Sequence, residues 1–140
     1  MSRVDSIIVS CDGGARGNPG PAAIGAVIYD ATTDPPTLLQ SISERIGVAT
    51  NNVAEYQALV RALEVAADLG AHAVHVRADS QLLIRQLEGQ YRVKSVGLRP
   101  LFDQARALLS GYDHVVLEHV PREDNVEADL LVNAALDLPG

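Results

Sequence analysis

The first third of the chain carries short apolar runs without helical spacing. Val4 to Cys11 alternates, with Ile7, Val9 and Cys11 on one face and Ile8, Ser10 and Asp12 on the other, which predicts a strand delivering Asp12 at its C-terminal end. A second run, Ala22 to Tyr29, follows a glycine-rich turn, and a third, about Thr37 to Ile46, follows Asp34-Pro35-Pro36. Connections this short predict an antiparallel meander. From Asn52 the period lengthens to that of a helix, opening at Thr50-Asn51-Asn52 and closing at Gly70. Its polar residues Gln57, Arg61, Glu64 and Asp68 form one solvent stripe. Glu55 lies roughly 150° from that stripe, on the face that should pack against the sheet. Capping-box spacing from Asn52 would by itself account for a glutamate there.

Beyond Gly70 the pattern alternates between the two periods. Ala73 to Ala78 predicts a strand ending at Asp79-Ser80, and a helix follows to Leu87. Gly89 to Pro100 reads as a loop, Leu101 to Leu109 as a helix and His114 to Val120 as a fifth strand. A last helix over 123–136 carries Asp129 on a polar stripe with Asn125 and Asn133. The intervening helix allows the fourth strand to run parallel to an earlier one. Ligands gather beyond the carboxyl ends of parallel strands, so Asp12 and Asp79 would converge if their strands are neighbours. Asp79 also suits an ordinary helix start.

Composition narrows the class. A length of 140 residues with 47% hydrophobic content fits one domain with a true core. The residues Met1-Ser2-Arg3-Val4-Asp5 do not read as a leader and no apolar run is long enough to span a membrane, which predicts a cytoplasmic protein without a membrane partner. The single cysteine, Cys11, suits a small buried hydrophobe. Leu138-Pro139-Gly140 would suit a linker to a second domain, and the domain itself is expected to be monomeric. A net charge of −7 argues against affinity for phosphates through lysine and arginine alone. Cations bound to clustered carboxylates would reverse the local sign, so the placement of the acids decides the reading.

Four motifs, in order and on these elements, carry a resemblance across almost the whole chain. They are Asp12-Gly13-Gly14 with Gly17-Asn18-Pro19-Gly20-Pro21, Thr50-Asn51-Asn52 leading to Glu55, Ala78-Asp79-Ser80-Gln81, and His119 followed ten positions later by Asp129. The chain resembles ribonuclease H type 1. That resemblance implies an α/β fold of the ribonuclease H type: a five-stranded mixed sheet in the order 3-2-1-4-5, strands 1 to 3 antiparallel and 1-4-5 parallel, with helices on both faces. It implies that Asp12, Glu55, Asp79 and Asp129 bind two Mg²⁺, with Mn²⁺ as a substitute, and hydrolyse the RNA strand of an RNA/DNA hybrid to 5′-phosphate and 3′-hydroxyl ends. Hard cations and oxygen ligands suit each other, and a two-metal centre suits in-line displacement at phosphorus.

By the same resemblance His119 is a mobile histidine assisting proton transfer or product release. Asn18, Asn52 and Gln81 contact the hybrid in its minor groove, and Thr50 holds a DNA phosphate. Gly13, Gly14, Arg16, Asn51, Ser80 and Asn125 complete the expected contacts around the glycine turn and the acids. The chain departs from many bacterial members by lacking tryptophan and a long basic handle. Gly89 to Ser95 stands in its place, and the expected grip falls to Tyr91, Arg92, Lys94, Arg16 and Arg122, to the metals, or to another domain. Three other readings stay open from sequence: a non-catalytic hybrid- or RNA-binding module, a DNA-directed metal nuclease of the same fold, and an α/β binding domain with capped helices and surface acids.

Overall fold

The computed structural model describes residues 4–138, so Pro139 and Gly140 of the expected linker and Met1 to Arg3 of the leader reading lie outside it. Five strands, β1 (Ser6–Ala15), β2 (Gly20–Asp30), β3 (Thr37–Ala49), β4 (Ala73–Ala78) and β5 (His114–His119), form one sheet in the order β3-β2-β1-β4-β5. β1 to β3 pair antiparallel, whereas β4 runs parallel to both β1 and β5. The expected topology is the one observed.

Four helices cover the sheet: α1 (Asn51–Ala66), α2 (Gln81–Leu87), α3 (Arg99–Leu109) and α4 (Val126–Asp137). α1 packs on β1 and β2 with α2 and α3 beside it, while α4 packs against β1, β2 and β3. The two groups occupy opposite faces, as the close approaches at glycine demonstrate. A Cβ at Gly13 would sit 2.2 Å from the Ala54 carbonyl of α1, whereas one at Gly25 would sit 2.3 Å from the Ala128 oxygen of α4. Alternation along β1 puts Asp12 on the α4 side and Gly13 on the α1 side.

The core lies mainly between the sheet and α1. Ile7, Val9 and Cys11 of β1, the face expected to be inward, are at most 1% exposed and meet Tyr56, Leu59 and Leu63 of α1 with Val74 and Val76 of β4. Burying side chains of this size contributes about 1.5–3 kcal/mol each. The polar stripe of α1 faces outward, Arg61, Glu64 and Asp68 being exposed.

Strands β2 and β3 run a few residues longer than expected, β5 ends one residue earlier, α3 starts at Arg99 inside the expected 89–100 loop, and three further boundary differences bear on the site. β1 does not stop at the carboxylate: Asp12 to Ala15 continue the ladder opposite Gly25 to Ala22. The helical stretch expected to run to Leu69 tightens into a 3-10 turn over Ala67–Leu69 before Gly70, whose φ of 69° closes it. The last helix begins at Val126, because Pro121 leads into a separate 3-10 turn, Arg122–Asp124.

Candidate active site

The site grows from a fork in the sheet. β1 pairs with β2 from Ile7 to Ala15, but with β4 only from Ser6 to Cys11, where Cys11 lies opposite Ala78. Asp12 is the first β1 residue past that last parallel pair, and Asp79 is the first residue past β4. Their convergence is thus a product of register. Glu55 reaches the same place from α1 and Asp129 from α4, and all four carboxylates line one open cleft of about 350 Å³ with Gly14, Asn51, Arg122 and Asn133.

Local chemistry determines where each acid sits. The Thr50 hydroxyl accepts the Val53 N–H at 3.2 Å and so caps α1. The Asn52–Glu55 capping box is therefore not what starts the helix, and Glu55 is left for the cleft. Likewise the Ser80 hydroxyl caps α2 by accepting the Leu83 N–H at 3.2 Å, relieving Asp79 of that task. With no Cβ at Gly13, α1 comes close enough to bring Glu55 beside Asp12.

Two asparagines hold the fork open. Asn125, 2% exposed, donates its amide hydrogens to the Cys11 carbonyl at 2.9 Å and to Asp79 Oδ1 at 3.2 Å. Asn125 precedes α4, is buried, and spends both donors on the two strand ends, while Asp129 and Asn133 of the same polar stripe line the cleft. Asn51 Oδ1 accepts the Ala15 N–H at 2.8 Å, and the Asn51 N–H is donated to Asn18 Oδ1 at 3.1 Å. These bonds tie the β1–β2 turn to α1. The turn is closed by the Arg16 N–H donating to the Pro21 carbonyl at 2.8 Å.

The electrostatics follow from crowding like charges. Burial, with Asp79, Asp129 and Glu55 around it, raises Asp12 from the ordinary 3.8 to about 8. Burial also raises Glu55, against a downward pull from the Ser80 hydroxyl and with Asp79 adding to the rise. Among the described residues no three His, Cys, Asp or Glu side chains converge closely enough to hold an ion by themselves. The oxygen donors in the cleft are of the kind hard cations take alongside water or phosphate.

A pH dependence follows with a definite sign. A folded state that raises the Asp12 and Glu55 pKa values binds protons more tightly than the unfolded chain, so stability is greatest below the unfolded values and falls as pH rises through the folded ones. Metal-free protein is expected to lose about 5 °C of melting temperature between pH 5 and pH 8. Thermal melts in a chelator would record it, and a melting temperature that rises over this interval would contradict the assignment.

Other sequence-proposed residues lie off the cleft. Arg16 reaches its rim but its guanidinium pairs with Asp137 at 2.6 Å. Asn18, Asn52, Gln81, Tyr91, Arg92 and Lys94 are exposed, and Thr50 is half-buried. His119, the last residue of β5, is also exposed and does not line the cleft, whereas Arg122 does, its guanidinium 3.5 Å from Asp129 Oδ1. From sequence Arg122 is a candidate only for gripping the substrate; its link to Asp129 spans a turn that no periodicity announces. Asn133 was legible, four positions after Asp129 on one helix face.

The reverse-transcriptase-like family matches residues 10–135. The bifunctional protein Rv2228c of Mycobacterium tuberculosis is 45% identical over 131 residues, 94% of this chain and 35% of that protein. Its solved N-terminal RNase H domain superposes with a TM-score of 0.89, covering 94% of this chain and 99% of the domain at 44% identity. Ribonuclease HI of Halobacterium salinarum is 46% identical over 90% of this chain and 62% of its own length, and the crystal structure gives a TM-score of 0.87. LC11-RNase H1, solved in complex with an RNA/DNA hybrid, is 46% identical with a TM-score of 0.86 over 94% of this chain and 96% of that one. The chain therefore spans about a third of the mycobacterial protein and under two thirds of the halobacterial one. Shared sequence, sheet order and helix placement over nearly the whole chain place it in the ribonuclease H type 1 family, a family of nucleases.

Proposed function

We propose that this domain is a divalent-metal-dependent endoribonuclease that cuts the RNA strand of RNA/DNA hybrids, leaving 5′-phosphate and 3′-hydroxyl ends. The observation that carries the reading is the convergence of Asp12, Glu55, Asp79 and Asp129 on one open cleft at the sheet fork. The hybrid complex of LC11-RNase H1 supports the substrate class. Asp12, central among the acids, is the proposed shared ligand of two ions, Mg²⁺ or Mn²⁺, with Glu55, Asp79 and Asp129 completing the donor set. The chemistry supplied by bound ions is activation of a water and neutralisation of the leaving 3′-oxygen.

The chain's own residues do the rest. Ser80 and Asn125 hold Glu55 and Asp79 in place, and Asn51 holds the glycine turn against α1. Ionisation of Asp12 is the proton-releasing event that must accompany ion uptake, so metal affinity rises with pH. Arg122 brings positive charge to the mouth of an acidic cleft, and its hold on Asp129 competes with any ion there. The exposed Asn18, Asn52, Gln81 and Thr50 are proposed to meet the hybrid, whose 2′-hydroxyl both donates and accepts hydrogen bonds. His119 is proposed to assist product release from the edge of the site. Among the described residues no helix is long and apolar enough to cross a membrane. We place the enzyme in the cytoplasm as a monomer, alone or joined to a second domain.

The test is cleavage of a labelled RNA/DNA hybrid in Mg²⁺ beside single-stranded RNA, duplex RNA and duplex DNA. Cleavage confined to the RNA strand of the hybrid is expected, and comparable cutting of duplex DNA would overturn the substrate assignment.

A further inference from the structure

We infer that Gln86, held by Tyr56, is a positioning residue that aims the basic loop at the substrate. The inference rests on the nuclease reading above and adds to it the means by which an acidic domain presents its cations.

The charge is unevenly spread. Residues 85–106 carry five of the chain's 11 lysines and arginines, Arg85, Arg92, Lys94, Arg99 and Arg106, against Glu88 and Asp103 only, although the chain's net charge is −7. Arg92 and Lys94, both exposed, lie on the irregular stretch that follows α2, with Val93 between them half-buried against the core. α2 begins at the cleft wall, where Ser80 caps it, and its seven residues carry the chain about 10 Å away from the acids before the loop begins.

The backbone of that stretch is tied to the interior by a polar chain. Tyr56, 1% exposed and next to Glu55, donates its O–H to Gln86 Oε1 at 2.6 Å. Gln86, 4% exposed, donates from Nε2 to the Arg92 carbonyl at 3.3 Å. Gln86 shares its buried face with Leu83, Ile84 and Leu87, where another leucine would fill similar space. A glutamine there costs desolvation unless both ends of its amide are bonded, and here both are. What it adds over leucine is direction: it fixes the carbonyl of Arg92 relative to the helix bearing Glu55. The other end of the turn is held separately, by Gln90 and Tyr91 N–H groups donating to the Arg85 carbonyl at 2.9 and 3.2 Å. Releasing Gln86 would therefore loosen residues 92–94 without undoing α2.

The test compares Gln86→Leu and Tyr56→Phe with Arg92→Ala/Lys94→Ala and the triple variant, by steady-state cleavage of an RNA/DNA hybrid at several salt concentrations. Gln86→Leu is expected to raise KM about fivefold with kcat within about twofold, and to make the dependence of log KM on log salt shallower by about one to two, the signature of phosphate contacts no longer held. With Arg92 and Lys94 already removed, Gln86→Leu should add nothing. Tyr56→Phe, which removes a single oxygen, should move KM and the salt slope the same way and carries the test if the leucine variant folds poorly. A folded Gln86→Leu with wild-type KM and salt slope would overturn the proposal, as would a loss confined to kcat that follows melting temperature. Amide hydrogen exchange separates this failure from failure of the nuclease reading. Faster exchange at residues 91–94 supports the tether even in a protein that cuts no hybrid, and unchanged exchange refutes it.

Discussion

Asp12→Asn is expected to leave a folded domain that cuts hybrid at least about a thousandfold more slowly, because it removes the one carboxylate that can serve both proposed ions. The same substitution should stabilise the metal-free protein. Asp12 sits where burial and three other acids raise it to about 8, so near neutral pH its ionisation opposes folding, and a neutral amide of the same shape removes that opposition. A melting temperature about 5 °C above wild type in chelator at pH 8 is expected, with the gap closing toward pH 5, where the wild-type carboxyl already holds its proton. Turnover assays and melts on one preparation check both halves. Near-normal turnover would refute the ligand role, and a lower melting temperature would refute the crowding that the cleft implies. An ordinary core residue would not yield a variant both dead and sturdier.

Gly13→Ala is expected to be the most damaging small change outside the acids. A methyl group there would lie 2.2 Å from the Ala54 carbonyl carbon and oxygen and 2.5 Å from the Glu55 amide nitrogen, and backbone cannot swing aside as a side chain can. α1 must move off the sheet, at a cost of about 3 kcal/mol, or about 10 °C of melting temperature. Because the displaced atoms belong to Ala54 and Glu55, hybrid cleavage should fall more than stability does. Gly97→Ala provides the control: its nearest neighbour is Ser95 Oγ at 3.7 Å, and both stability and activity should stay near wild type. Equal behaviour of the two variants in melts and assays would show that the α1–β1 contact is not what locates Glu55.

Legibility in the sequence tracked the range of the interactions. β4 was readable to the residue because its six positions alternate and end at Asp79-Ser80. The sheet order came from the resemblance, and apolar periodicity alone stopped at strands of unknown neighbours. β1 looked finished at Cys11 since glycines weaken an isolated strand, yet Asp12 to Ala15 stay extended because β2 supplies partners from Gly25 to Ala22. Asn125 shows the same limit from the other side. Its spacing from Asp129 fits a helix stripe, but its hydrogen bonds run to Cys11 and Asp79, 114 and 46 residues away. Glu55 was legible only in outline: its face was right, while the reason it is free for the cleft, capping by Thr50 instead, is a matter of atoms.

The fork has one further consequence, for solubility. Beyond Cys11, β1 loses β4 as a neighbour and becomes an edge strand in the middle of a sheet, the kind of exposed ladder that recruits other chains. Here two side-chain amides impersonate the absent strand: Asn125 takes the Cys11 carbonyl and Asn51 takes the Ala15 N–H. The acids then surround the rest with charge that an incoming peptide strand would have to desolvate. The opening proposed to admit a nucleic acid is thereby closed to β-strand addition, and the same residues do both.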